Sequence, residues 1–236
     1  MLFRSNLYFL LLVKRFRDVF KNEELRTYVI LLLTATVAIT LNIQNSFSAL
    51  PDAIRTSFFQ VSTIVSTTGY ATADFNLWPS FPKTILLVLM VLGSCAGSTA
   101  GGLKISRVII AFKNMLRSIK KTVRPHSVNV VRVDGEPISD QTLHATASYI
   151  TIYAAFVVIS TLLLSLDGFD LETNFTATLS CINNIGPGLS VVGPTGNFSQ
   201  FSYFSKLFLS FIMLVGRLEF MPMLILFSPK TWRKNG

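Results

Sequence analysis

The sequence predicts an all-α integral membrane protein in which one unit occurs twice: spanning helix, short re-entrant helix, glycine turn, spanning helix. Three observations predict it. Only 14% of the 236 residues are charged, against about 25% in a soluble domain. Long apolar runs account for the deficit. Two short, half-polar segments between those runs align with each other without a gap. The same numbers exclude several functions. Half of the residues are hydrophobic, which argues against a disordered basic tail. The net charge of +9 is spread over separate segments rather than one face, so no nucleic acid is expected as a partner. Cys95 and Cys181 stand far apart in apolar stretches, with no disulfide framework or metal-ligand spacing.

Residues 28–47 and 145–166 contain no charged residue, and each is long enough to cross about 30 Å of hydrocarbon as a helix. Residues 84–103 form a third candidate, interrupted by Gly-Ser-Cys-Ala-Gly-Ser-Thr-Ala-Gly-Gly. Residues 207–227 form a fourth that carries Arg217 and Glu219. Those two charges at mid-depth cost about 5–7 kcal/mol and the apolar residues around them return about 4–8, so both should face protein or water. Two positions apart on a helix, they cannot pair with each other. Pro222 is expected to kink the helix just beyond. The start, residues 6–13, is too short to span unless something precedes it, and a charged segment rather than a small-residue cleavage site follows, so a signal peptide is not expected.

Orientation follows from basic residues. They crowd into 14–26, 104–132 and the tail, whereas the alternate loops 48–83 and 167–206 hold only Arg55, Lys83 and Lys206. The positive-inside rule puts 14–26, 104–143 and the C-terminus in the cytoplasm, with lipid headgroups as their neighbours. His126 and His144 have no metal-spaced partners. Asn174 and Asn197 begin glycosylation-type triplets, but the first lies on a re-entrant segment, and both are set aside. Residues 128–140 alternate before Asp134-Gly135, which predicts a short cytoplasmic hairpin.

Residues 52–66 and 170–184 are too short to span and too apolar to be fully wet. Asp52 and Asp170 are candidate N-caps. The two segments align at an offset of 117: Phe58 with Phe175, Gly69 with Gly186. Each ends at a glycine turn, Thr67-Thr68-Gly69-Tyr70 or Asn184-Ile185-Gly186-Pro187-Gly188, and each is followed by a helix with Met-x-x-Gly, Met90–Gly93 or Met213–Gly216. Non-helical backbone at membrane depth survives only when buried in protein or lining a water-filled cavity. A short helix entering from outside aims its negative dipole end inward, and glycine lets successive carbonyls face an axis where they replace a cation's water shell. A plain turn is the alternative for either motif alone; their repetition favours a cation pore.

These residues resemble a known family. Ser66-Thr67-Thr68-Gly69-Tyr70 and the run from Gly93 to Arg107 look like the third repeat of the bacterial Trk/Ktr potassium transporters. Asn183-Asn184-Ile185-Gly186-Pro187-Gly188, with Gly216-Arg217-Leu218-Glu219 through Phe227-Ser228-Pro229, looks like the fourth, and the tail pattern is nearest the TrkH/TrkG type. The resemblance implies two helix–pore helix–filter–helix repeats of a four-repeat cation-channel-like fold. It implies potassium uptake across the bacterial inner membrane, a homodimer, and a cytoplasmic nucleotide-binding TrkA-type regulatory ring, with potassium as the transported ion and no cofactor or enzymatic activity.

On that resemblance, residues 1–26 are the remnant of a preceding repeat and a linker. Residues 27–124 are the third repeat (pore helix 52–66, filter 66–70, gate loop 93–104), and 125–143 a cytoplasmic loop. Residues 144–229 are the fourth repeat (pore helix 170–184, filter 184–188), and 230–236 the tail. Thr67, Thr68, Gly69, Tyr70, Asn184, Ile185 and Gly186 would hold potassium. Gly97, Ser98, Thr99, Ala100, Gly101, Gly102, Lys104 and Arg217 would gate it below the filter. Small-residue helix packing is the competing reading of the glycine run. A phosphate loop is excluded because Leu103 separates Gly102 from Lys104. The family has four repeats and this chain two, so either another chain completes the pore or the chain is a truncated or scaffold subunit that does not conduct alone.

Overall fold

The computed structural model describes residues 21–96, 98, 101–124, 129–218 and 220–226. The expectations for 1–20, Gly97, Thr99, Ala100, His126, Glu219 and the tail from 227 lie outside the described residues.

Helix α1 runs Glu23–Ile43. Asn22 caps it, its side-chain oxygen accepting from the Leu25 N–H at 2.9 Å, with Glu23 and Glu24 complementing the dipole in the first turn. Helix α2 is Leu50–Val65. Its N-cap is Ala49, with no side-chain cap, and Asp52 sits inside the first turn. The expected Asp52 cap is therefore wrong: the helix already begins at Leu50, with Pro51 in its first turn, where a missing N–H costs nothing. Helix α3 covers only Ser80–Val91, and α4 is Ile105–Val123.

A two-residue hairpin follows, β1 Arg132–Val133 and β2 Glu136–Pro137, with Val133 opposite Glu136. Asp134 and Gly135 both have positive φ (53° and 87°), as the tight turn of a two-residue hairpin requires. Asp134 also ties the hairpin to α1, accepting from the Asn22 amide at 2.9 Å and the Glu23 N–H at 2.7 Å. Lys113 of α4 pairs with Glu23 and donates to the Arg132 carbonyl at 2.7 Å.

Helix α5 is Asp140–Leu164, capped by Ser139. Helix α6 is Leu171–Ile182, and here the expected cap is present. Asp170 accepts from the Thr173 N–H at 3.1 Å and the Thr173 hydroxyl at 2.5 Å. That hydroxyl holds the Asp170 carboxyl below the ordinary carboxylate range. Helices α7, Tyr203–Leu218, and α8, Phe220–Leu226, are the last described elements.

Two helical stretches are long and apolar enough to cross a membrane, Glu23–Ser46 and Asp140–Asp167. The third candidate does not form a single spanning helix, since α3 stops at the glycine run after about 18 Å of rise; in the fourth, the described residues 207–218 and 220–226 are helical.

Two hydrophobic cores interlock. Ile39, Ile43, Ala53, Ile64, Leu86 and Leu89 of the first unit pack with Ile185 and Leu189 of the second. The second core gathers Tyr153, Leu179, Ile182, Ile212, Val215 and Phe220, together with Leu103 from the first unit. Helix α7 reaches α6 at Gly216, where an added Cβ would lie 1.8 Å from the Ile182 carbonyl oxygen. A rigid backbone atom cannot yield to it. Gly216→Ala is expected to lower stability by about 1–3 kcal/mol, read as an earlier thermal unfolding transition in detergent; an unchanged transition would mean the two helices are further apart.

Candidate functional site

The two short helices end in the same way. After α2, the Thr67 N–H donates to the Ile64 carbonyl at 3.1 Å and the Thr68 N–H to the Thr63 carbonyl at 2.9 Å. After α6, Asn184 donates to Cys181 at 3.2 Å and Ile185 to Ser180 at 2.9 Å. Every donor and acceptor recurs at the offset of 117. So do the left-handed residues: Thr67 (φ 55°) with Asn184 (φ 54°), and Gly69 (φ 81°) with Gly186 (φ 115°). This is the Schellman C-terminus, which satisfies the last helix carbonyls by turning the chain back on itself. Unusually, a threonine and an asparagine rather than glycine occupy its left-handed position, and the glycine comes two residues later.

The turns meet. A Cβ on Gly69 would lie 2.2 Å from the Ile185 carbonyl oxygen, and one on Gly186 would lie 3.7 Å from the Gly69 Cα. Thr67, Thr68, Gly69, Asn184, Ile185 and Gly186 thus belong to one small region. Within it Thr68 Oγ1 bonds the Ser66 hydroxyl at 2.7 Å, and Asn184 donates to the Met213 carbonyl at 3.2 Å. Tyr70 is exposed, and Ile185 is anchored by its side chain in the first core.

The glycine run lies against the end of α6. Cβ atoms on Gly101 and Gly102 would meet the Asn183 carbonyl oxygen at 2.3 Å and its side-chain oxygen at 2.7 Å, and Gly102 has φ +78°. The run leaves and returns through a closed neck: Leu92 and Leu103 form a parallel bridge, and the Gly93 N–H donates to the Leu103 carbonyl at 2.8 Å. Lys104, buried at the neck, donates to the Ser98 carbonyl at 3.1 Å. Among the expected gate residues, Ser98, Gly101, Gly102 and Lys104 are therefore held together. Arg217 lies in α7 with its side chain exposed, one residue beyond the glycine that touches Ile182.

Asn183, absent from the expected site list, sits at the centre. Fully buried, it donates to the Met90 carbonyl at 2.6 Å at the end of α3, and its side chain bonds the Tyr153 hydroxyl on both atoms at 3.0 and 3.2 Å. It joins α3, α5, α6 and the glycine run. Glu24 was missed too; it is buried in α1 and accepts from the Ala96 N–H at 2.7 Å. Arg107 stacks on Tyr149 at 3.8 Å.

This arrangement, short helices ending in paired left-handed turns between longer apolar helices, defines a helical protein built from two like units. Residues 19–234 match the TrkH family, described as cation transport protein, and the chain belongs to that family. It is 34% identical over 97% of its length to the Trk system potassium uptake protein TrkH of Escherichia coli K12, covering 47% of that protein. To TrkG of the same strain it is 30% identical over 93% of its length, covering 45%. The crystal structure of the potassium transporter TrkH from Vibrio parahaemolyticus superposes with a TM-score of 0.82 and 31% identity, over 91% of this chain and 46% of that one. The chain spans about half the length of the relatives it matches.

Tyr153→Phe leaves part of the Asn183 carboxamide without a partner in a buried site. It is expected to cost about 1–3 kcal/mol, measured as reduced thermal stability; no change would remove Asn183 from its central role.

Proposed function

We propose that this chain supplies half of a potassium-conducting pore in the bacterial inner membrane. The observation that carries the reading is the meeting of two like turns, Thr67–Tyr70 and Asn184–Gly186, at the ends of two short helices, with the Ile185 carbonyl against Gly69. Two such turns present backbone carbonyls and negative helix ends to one small region, which is the requirement for coordinating a dehydrated cation. Potassium is the transported substrate, held by Thr67, Thr68, Gly69, Tyr70, Asn184, Ile185 and Gly186. The names of the relatives, Trk system potassium uptake proteins, support the choice of ion.

The two units act as helix–pore helix–filter–helix repeats, residues 27–124 and 144–229, in a ring that needs two more. The run 93–104 with Arg217 forms the gate beneath; the contact of Gly101 and Gly102 with Asn183 at the base of the second turn supports this. Two further repeats complete the ring, and the complete assembly is a homodimer carrying a TrkA-type nucleotide-binding regulator on its cytoplasmic face, where the C-terminus lies. Helix α4 supports that orientation. Phe112, Met115, Leu116, Ile119 and Val123 are exposed, and basic residues Lys120, Lys121 and Arg124 share its last turns, the pattern of a helix in the headgroup layer.

Gly69→Ser is expected to abolish or strongly weaken potassium over sodium selectivity in a complete assembly, because φ +81° and a carbonyl at 2.2 Å leave no room for a side chain. Unchanged relative permeability would sink the filter reading. The chain alone is expected to give no potassium flux in liposomes, since half a ring cannot replace a hydration shell, with flux recovered on adding a chain that bears the first two repeats. A chain that remains silent with that partner is instead a scaffold subunit.

A further inference from the structure

We infer that Ser180, Thr176 and Thr173 are positioning residues for the second turn. With Asn76 they make the segment 186–193 the fixed wall of the conduction path, and 67–73 the compliant wall. The inference rests on the filter reading above and assigns roles to residues outside the filter itself.

The three hydroxyls lie on one face of α6 at spacings of three and four, and each is fully buried. Each accepts from a backbone N–H of the segment that returns from the turn. Ser180 accepts from the Gly186 N–H at 3.1 Å and donates to the Gly186 carbonyl at 2.6 Å. Thr176 accepts from the Leu189 N–H at 3.0 Å while donating to the Glu172 carbonyl at 2.8 Å. Thr173 accepts from the Val191 N–H at 3.4 Å while donating to Asp170. The ladder therefore takes up N–H groups that no helix or sheet serves, in surroundings where an unserved group costs heavily.

The other side of the segment is clamped from the first unit. Asn76 reads the Ser190 backbone with both side-chain atoms, accepting from its N–H at 3.0 Å and donating to its carbonyl at 2.9 Å. Ser190 is held there at φ 56°. Gly193 lies so close that a Cβ would sit 2.0 Å from the Asn76 amide nitrogen. Ile185 and Leu189 anchor the segment in the first core.

At the offset of 117, the ladder positions in α2 are Thr63, Phe59 and Thr56. Phe59 has no hydroxyl, and the buried Thr63 hydroxyl has no hydrogen-bond partner. In the orientation that satisfies its amide, Gln60 accepts from the Thr72 and Ala73 N–H groups at 2.9 and 3.1 Å. That is the single side-chain brace to the 69–73 backbone among the described residues, and it lies beyond the glycine. The turns share a backbone conformation, but only one of them is braced along its length.

Hydrogen exchange of the chain in lipid nanodiscs, read by mass spectrometry, tests the bracing directly. Segment 184–193 is expected to exchange at least about tenfold more slowly than 67–76. Ser180→Ala and Thr176→Val should each accelerate 184–193 by roughly fivefold, the value of one ordinary hydrogen bond. Segment 67–76 should stay unchanged, and Thr176→Ser should restore protection. In a complete assembly the same two variants should lower the potassium to sodium permeability ratio. Equal exchange in the two segments, or variants that fold normally and leave 184–193 protected, would overturn the ladder whatever ion is carried. Accelerated exchange with unaltered selectivity, when Gly69→Ser does alter it, would overturn the positioning role alone. If neither variant nor Gly69→Ser changes selectivity, the filter reading falls and the inference with it.

Discussion

Backbone that stops being helical away from water has to find every hydrogen-bond partner within the protein, and the architecture of this chain is organised around that requirement. The two short helices meet it locally, by the same reversal of the chain at Thr67 and at Asn184. Beyond the reversal the local solution runs out, because the next residues have no strand to pair with. What serves them differs between the units: a ladder of hydroxyls and the Asn76 amide in one, the Gln60 amide in the other. A threonine or asparagine in the left-handed position is tolerable where the surroundings over-determine the turn.

Close approach is the second consequence. Where backbone must lie on backbone, side chains are removed: Gly69 on Ile185, Gly101 on Asn183, Gly216 on Ile182. These three contacts converge on the end of α6 and the turn after it. Asn183 occupies their midpoint and serves the carbonyl that α3 leaves unserved when it stops, so the interruption of α3 and the end of α6 are mutually dependent. The glycine run is thus more than a seam between helices. It is a loop with a closed neck at Leu92–Leu103, held at one side by buried Glu24 and bridged by buried Lys104. Charges in such places are tolerated because each meets backbone groups.

On the side of α4, charge rather than close packing sets the geometry. The hairpin is held to α1 by Asp134 and to α4 by Lys113, and Arg117 reaches Asp140 at 2.7 Å. These are part-exposed pairs of modest individual worth. Their collective effect is to fix the start of α1 against α4, and with it the acid that accepts from the Ala96 N–H.

By itself the sequence determined the helical class, the Asp134-Gly135 hairpin, the Asp170 cap and the alignment of two turns at 117 residues. These properties are written locally, in hydropathy, in the conformational freedom of glycine and in the identity of a capping side chain. The tertiary structure decided what depends on neighbours distant in the chain. Asp52 lost the cap to an earlier start at Leu50, a competition among adjacent residues that composition does not rank. The third apolar run proved to be a broken helix, because glycine packing and the hydrogen bond from Asn183 to the Met90 carbonyl outweighed the continuity that hydropathy implied. The importance of Asn183, Glu24 and Asn76 was invisible, since a buried polar side chain is understood only through the partner it meets. Two units alike in sequence pattern came out unequally braced, because Phe59 stands where Thr176 does, and a hydroxyl matters only once a returning backbone lies within its reach.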